Sequence, residues 1–198
     1  MSVPYTLDSK NTLRSFHQLY VQAMILHDIL RGKVEDWAAQ SMGYVAIEPD
    51  APPGQSGSGG GGTGGLKFVK WADARADPSM YQRAKWPPLK KSRRAIEKTE
   101  RVFRGDTSRL ADIVRFAIYF DTFTDLTSAM GVIVSDFDIK VELVKSRLRV
   151  DYDSRPTAGY RDVNLKLKIC NKETAMLGCD THTRIREPLC NFTYLAKS

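Results

Sequence analysis

Asp112 stands directly before the apolar run Ile113-Val-Arg-Phe-Ala-Ile-Tyr-Phe120, where a carboxylate at the mouth of a strand can reach a metal ion. Just upstream, Lys90, Lys91, Arg94 and Lys98 cluster in a basic stretch with the spacing of a helix. Further on, Tyr160 and Arg161 follow the flexible pair Ala158-Gly159. They offer a ring to stack on a purine and a guanidinium to pair with phosphate. Phosphoryl or pyrophosphoryl transfer asks for these three parts: cations on the phosphates, carboxylates for magnesium, and a grip on the base. Each residue also has an ordinary role open to it. Asp112 can cap a strand or pair with Arg109, Tyr160 can be a plain loop aromatic, and the lysines can be solvated. Singly, the ordinary role is the better reading at every position; only their order speaks for chemistry.

The elements that must hold these residues follow from hydrophobic periodicity. Residues 9–40 read as a helix, with Leu13, Phe16, Leu19, Tyr20, Met24 and Leu30 at helical spacing and Asp8 or Ser9 as cap. His17 and His27 on it read as surface or half-buried residues rather than ligands. Residues 49–65 are Gly, Pro and Ser-rich and read as a disordered linker. They end in no Gly-Lys-Ser/Thr and follow no strand, so they make no phosphate loop. Residues 78–103 read as a basic helical region broken at Pro87-Pro88. The run 113–120 is a central strand, and Asp121 or Thr122 then caps a helix bearing Phe123, Leu126, Met130 and Ile133. Residues 139–145 and 163–169 alternate as strands. Between them Ser146–Asp162 is a loop rich in arginine and tyrosine. The expected fold is α+β: a mixed β-sheet with flanking helices, an N-terminal helix and a Gly-rich linker.

The chain of 198 residues is 42% hydrophobic, enough for a packed core, and carries a net charge of +7 that favours anionic partners. A nucleoside triphosphate and a nucleic acid ask for the same cations; Trp71, Tyr81 and Trp86 among lysines support an RNA-binding reading. No run of about 18 apolar residues exists to span a membrane, and the N-terminus has no secretory pattern. The three cysteines, Cys170, Cys179 and Cys190, match neither a disulfide framework nor a zinc pattern. They read as lone buried thiols, in keeping with an intracellular, cytoplasmic setting.

In order, the motifs resemble those of RelA/SpoT-family alarmone synthetases. Asp112-Ile-Val-Arg115 with its strand is similar to the family's Asp-Ile-x-Gly-x-Arg stretch. Pro156-Thr-Ala-Gly159-Tyr160-Arg161-Asp162-Val-Asn164-Leu165 resembles its Gly-Tyr-Arg/Gln-Ser-x-His loop, and Val144-Lys-Ser-Arg-Leu148, with Arg147, the basic stretch before it. The match runs over residues 80–182 and looks most like divergent eukaryotic members. The resemblance implies a nucleotidyltransferase-like sheet that transfers the β,γ-pyrophosphate of ATP to the 3′-hydroxyl of GDP or GTP. It implies Asp112 as magnesium ligand and catalytic residue, Arg161 as its catalytic companion, and Tyr160 stacked on the acceptor guanine. Lys90, Lys91, Arg94, Lys98 and Arg147 become the nucleotide-binding cations.

Three departures accompany the match. Arg115 stands where the family has glycine and Ala117 where it has arginine; Asn164 replaces the loop histidine. The family's Glu-x-Gln strand completes the metal site with its glutamate. Here residues 183–186 hold no acid, Glu187 is followed by Pro188, and Asp180 comes before the expected strand. The chain therefore divides into a helical extension (1–48), the linker (49–65), the RelA/SpoT-like part (66–182) and a divergent tail (183–198). Three functions stand beside one another: an active pyrophosphotransferase, a purine-nucleotide-binding module without turnover, and a basic RNA-binding domain.

Overall fold

Side-chain alternation builds the sheet. In β3 (Arg115–Phe120) Phe116, Ile118 and Phe120 are buried while Arg115, Ala117 and Tyr119 are partly exposed. In β5 (Asp162–Ile169) Val163, Leu165, Leu167 and Ile169 enter the same core. The computed structural model describes residues 15–49, 67–110, 112–157, 161–172, 174 and 189–194. Within these, β1 (Tyr44–Ile47), β2 (Lys67–Lys70), β3, β4 (Ile139–Ser146), β5 and β6 (Leu189–Tyr194) form one six-stranded mixed sheet, in the order β2-β1-β3-β6-β5-β4. β6 runs parallel to β3 and antiparallel to β5, so it joins the two halves of the sheet. The fold is α+β, as the periodicity indicates.

Helices cover one face. α1 (Phe16–Gln40) starts where the Ser15 hydroxyl accepts the Gln18 N–H, and it buries Leu19, Leu26, Leu30, Val34 and Trp37 at helical spacing. It closes with Met42 in the left-handed region (φ 58°) and the Gly43 N–H on the Ala38 carbonyl. α5 (Phe123–Ser135) is capped by the Thr122 hydroxyl and buries Leu126, Ala129 and Ile133. Between α1 and the turn after α5, Lys33 donates to Asp136 and Asp138, and the Trp37 ring N–H donates to Asp136 at 3.0 Å. Burial by itself would raise the Asp136 carboxyl, but the bonds from Lys33, the Asp138 backbone and Trp37 hold it below the ordinary carboxylate range.

Short helices α2 (Trp71–Ala76) and α3 (Pro78–Arg83) lead into an extended stretch and then the basic helix α4 (Ser92–Phe103). The break at Pro87-Pro88 lies in that extended stretch, as proline geometry requires. No helix among the described residues is long and apolar enough to cross a membrane.

Two stretches that look peripheral in the sequence are structural. Residues 1–48, set apart by the linker, contribute α1 and β1 to the common core. β1 pairs antiparallel with β2, so the Gly-rich stretch connects the arms of a hairpin. The tail at 183–198 contributes β6, whose first residue follows Pro188 directly. Proline at that point costs the sheet no N–H. Cys170, expected buried, is an exposed free thiol just past β5.

Gly43 is confined: a Cβ there would lie 2.5 Å from the Ile118 side chain and 3.1 Å from the Ala38 backbone. Gly43→Ala should lower stability by about 1–3 kcal/mol in urea titration. Ending the chain at Pro188 should abolish cooperative unfolding, because β3 and β5 would each be left with an unpaired edge. Circular dichroism on heating reads this.

Candidate functional site

Asp112 lies just before β3, and two ammonium groups converge on one of its oxygens. Lys90 Nζ and Lys98 Nζ each donate to Oδ2 at 2.8 Å. Lys90 is positioned by its backbone: its N–H bonds to the Ile113 carbonyl at 2.9 Å, and its own carbonyl accepts from the Tyr20 hydroxyl at 3.1 Å. Lys98 comes from the inner side of α4, one residue from buried Thr99 and three from buried Ala95. Its ammonium also lies over the Phe103 ring, which Arg109 approaches as well. Arg109 therefore sits on Phe103, while the cations on Asp112 are Lys90 and Lys98.

The second oxygen, Asp112 Oδ1, is buried and has no hydrogen-bond partner. Burial alone would raise the carboxyl; the bonds and charges of Lys90 and Lys98 more than offset it and hold Asp112 below the ordinary carboxylate range. One carboxylate against two ammonium groups leaves the cluster net positive. Lys91 and Arg94 lie exposed on the same helix end, so the surroundings suit a multiply charged anion.

Magnesium fits this centre in one form. A free, ionised carboxylate oxygen is a hard ligand, and magnesium commonly binds through one or two carboxylates plus substrate phosphates. Two lysines at 2.8 Å oppose a bare dication, so the ion suits the centre only when phosphate oxygens draw those lysines away. Among the described residues no group of three or more His, Cys, Asp or Glu can hold a metal. Asp180 and Glu187, the acids the tail offers, lie outside the described residues.

The arginine-rich loop is held elsewhere. Arg147 follows β4 and pairs with Asp162, which is 2% exposed; the Arg147 N–H also bonds to the Asp162 carbonyl at 2.8 Å. Arg161 donates to the carbonyls of Arg149 and Tyr152, bracing the loop on itself. Asp162 pairs through Thr193 with Tyr119, whereas Asp112 precedes Arg115 at the start of β3. From Arg115 to Tyr119 is four strand residues, about 13 Å. The loop's anchors thus sit at the end of the sheet away from Asp112. The reason is β6: running parallel to β3 between β3 and β5, it turns β5 antiparallel to β3. Tyr160 lies outside the described residues.

The aromatics that favoured RNA binding are largely spent on packing. Trp71 is 0% exposed, Trp86 meets it edge-on at 5.1 Å, and Tyr81 tilts against it at 5.5 Å. His27 packs on Phe116, as a structural histidine would. The buried acid Asp162 escaped the sequence reading; its position two residues after Tyr160 was the available signal.

No family model and no curated protein matches the chain. Among solved structures it is similar to a chain in the crystal structure of the complex between the Type VI effector Tas1 and its immunity protein. The two are 15% identical with a TM-score of 0.47, over 99% of this chain and 64% of that one. The present chain thus spans less than two thirds of that chain's length.

Because the folded pKa of Asp112 is depressed, its contribution to stability is complete above the ordinary value near pH 4 and is lost as pH falls through the lower folded value. Asp112→Asn should therefore destabilise by about 1–3 kcal/mol at pH 7. The difference from wild type should close below pH 4. Urea titrations at a series of pH values measure both.

Proposed function

We propose that the chain is a purine-nucleotide pyrophosphotransferase whose donor phosphates bind at Asp112, Lys90 and Lys98. The single observation that carries this reading is the unsaturated charge of the cluster: a buried carboxylate oxygen without a partner beside two ammonium groups that share the other. Such an arrangement suits a Mg–polyphosphate, which brings anionic oxygens for the lysines and a cation for the carboxylate together. Lys91 and Arg94, exposed at the start of α4, extend the positive field toward the distal phosphates.

In this reading ATP exchanges one set of charge pairs for another. Lys90 and Lys98 would pair with phosphate oxygens, and Asp112 is the residue that would hold a magnesium ion accompanying the nucleotide. Bound magnesium supplies charge neutralisation at the oxygens of the transferred group. The reaction implied by the RelA/SpoT resemblance then balances simply. The acceptor 3′-hydroxyl oxygen of GDP or GTP bonds to the β-phosphorus, the bond from that phosphorus to the α-bridging oxygen breaks, AMP leaves with the electron pair, and the hydroxyl proton goes to solvent. The lysines stabilise the charge that builds on the departing and transferred oxygens.

One observation favours a second reading, a nucleotide-binding module without turnover: among the described residues no group of three or more His, Cys, Asp or Glu could hold a metal ion. The two readings part in one experiment. With labelled ATP, GDP and magnesium, wild-type protein should release AMP and form a guanosine product. Asp112→Ala should cut the rate by roughly 100-fold or more, while Lys98→Met chiefly weakens ATP binding. GTP binding without product would establish the second reading instead.

A further inference from the structure

The helices α1 and α5 pack on the core side of β3, and the opposite side of the sheet is charged. There Arg115 alternates with buried Val114 and Phe116, and Lys166 and Lys168 alternate with buried Leu165, Leu167 and Ile169. Directly opposed residues of an antiparallel ladder share a face. Lys140 is opposite Lys168 and Lys145 is opposite Asn164, so the edge strand β4 adds two cations to the same side. Arg115 and Lys166 stand level with one another across β6, about 10 Å apart.

These five cations have no acidic partner among the described residues, and Arg115 Nε is buried with no hydrogen-bond partner at all. The acids beside them are engaged or marginal. Asp162 is taken by Arg147 and Asp121 bonds to the Tyr44 hydroxyl, while Glu142 sits at the β-bulge of the edge strand. Like charges directly opposed across a ladder are destabilising. Lys140 against Lys168 is such a pair, and among the described residues neither has an acidic partner. Toward β1 the same face turns aromatic: Tyr119 is opposite Tyr44, and Phe68 meets the Tyr119 ring edge-on at 4.7 Å.

We propose that this face binds a single-stranded nucleic acid, with phosphates on the cations of β3, β5 and β4 and bases against Tyr119 and Phe68. From β1 to β4 the sheet spans four strand spacings, about 19 Å, enough for a few nucleotides. A polyanion relieves the Lys140–Lys168 repulsion. Partly exposed rings on a sheet face stack on unpaired bases without regard to sequence, whereas a duplex hides its base faces from them. Binding here needs neither ATP nor magnesium, so this inference stands or falls apart from the activity of the Asp112 centre.

The test is fluorescence anisotropy with a labelled oligouridylate of about 12 nucleotides, without nucleotide triphosphate or metal, at about 100 mM salt. The full chain should bind, with affinity falling steeply as salt rises. The double variant K166E/K168E should weaken binding at least about tenfold and reduce the salt dependence, and Asp112→Ala should leave binding within about twofold. K166Q/K168Q, which removes the repulsion without adding charge, should weaken binding less while keeping or raising the melting temperature, so lost binding cannot be lost folding. The proposal is overturned if the single strand does not bind, if K166E/K168E binds it as well as wild type, or if a 12-base-pair duplex binds as tightly.

Discussion

The hydrogen bonds of β6 hold the molecule together. On one side of it lie β3, β1 and β2, on the other β5 and β4, and the ladder joining the halves runs through its six residues. The core follows from this join. Phe116, Ile118 and Phe120 of β3 share a face with Val163, Leu165 and Leu167 of β5 only because β6 sets their register. Its direction also decides which groups share an end of the sheet. With β6 parallel to β3, both begin at the Asp112 end, while the loop before β5 is carried to the other.

The Asp112 centre shows how charge can be stored in a ligand-free protein. Two ammonium groups and one carboxylate satisfy one another incompletely: one oxygen is shared twice and the other is buried without a partner. A buried, unsatisfied acceptor costs free energy. The arrangement is stable because Lys90 and Lys98 are each fixed by other contacts, the former through its backbone and Tyr20, the latter through α4 and Phe103.

The helical side of the sheet is apolar, and the far side carries the cations of β3, β4 and β5. Asp136, Lys33 and Trp37 on the helical side bond among themselves across α1 and the turn after α5. On the far side the cations of β3, β4 and β5 have no acidic partner among the described residues.

Local chemistry alone determined a good deal. Period-2 alternation marks β4 and β5 within a residue of their observed ends, and Thr122 with Asp125 marks the start of α5. The lysine-rich helix beside Asp112 was legible from spacing, because residues three, four and seven apart share a helix face. That Lys90 and Lys98, rather than Lys91 and Arg94, meet Asp112 was not legible, since the turn of α4 against its neighbours decides which stripe faces inward. The strands β1 and β2 are four residues each, too short to show a period, and gain their identity from pairing across the Gly-rich stretch. β6 hides behind Pro188, and only its two neighbours make it a central strand. The sequence could order the chemical groups along the chain; which of them share an end of the sheet was decided by strand direction, a long-range property that no local pattern encodes.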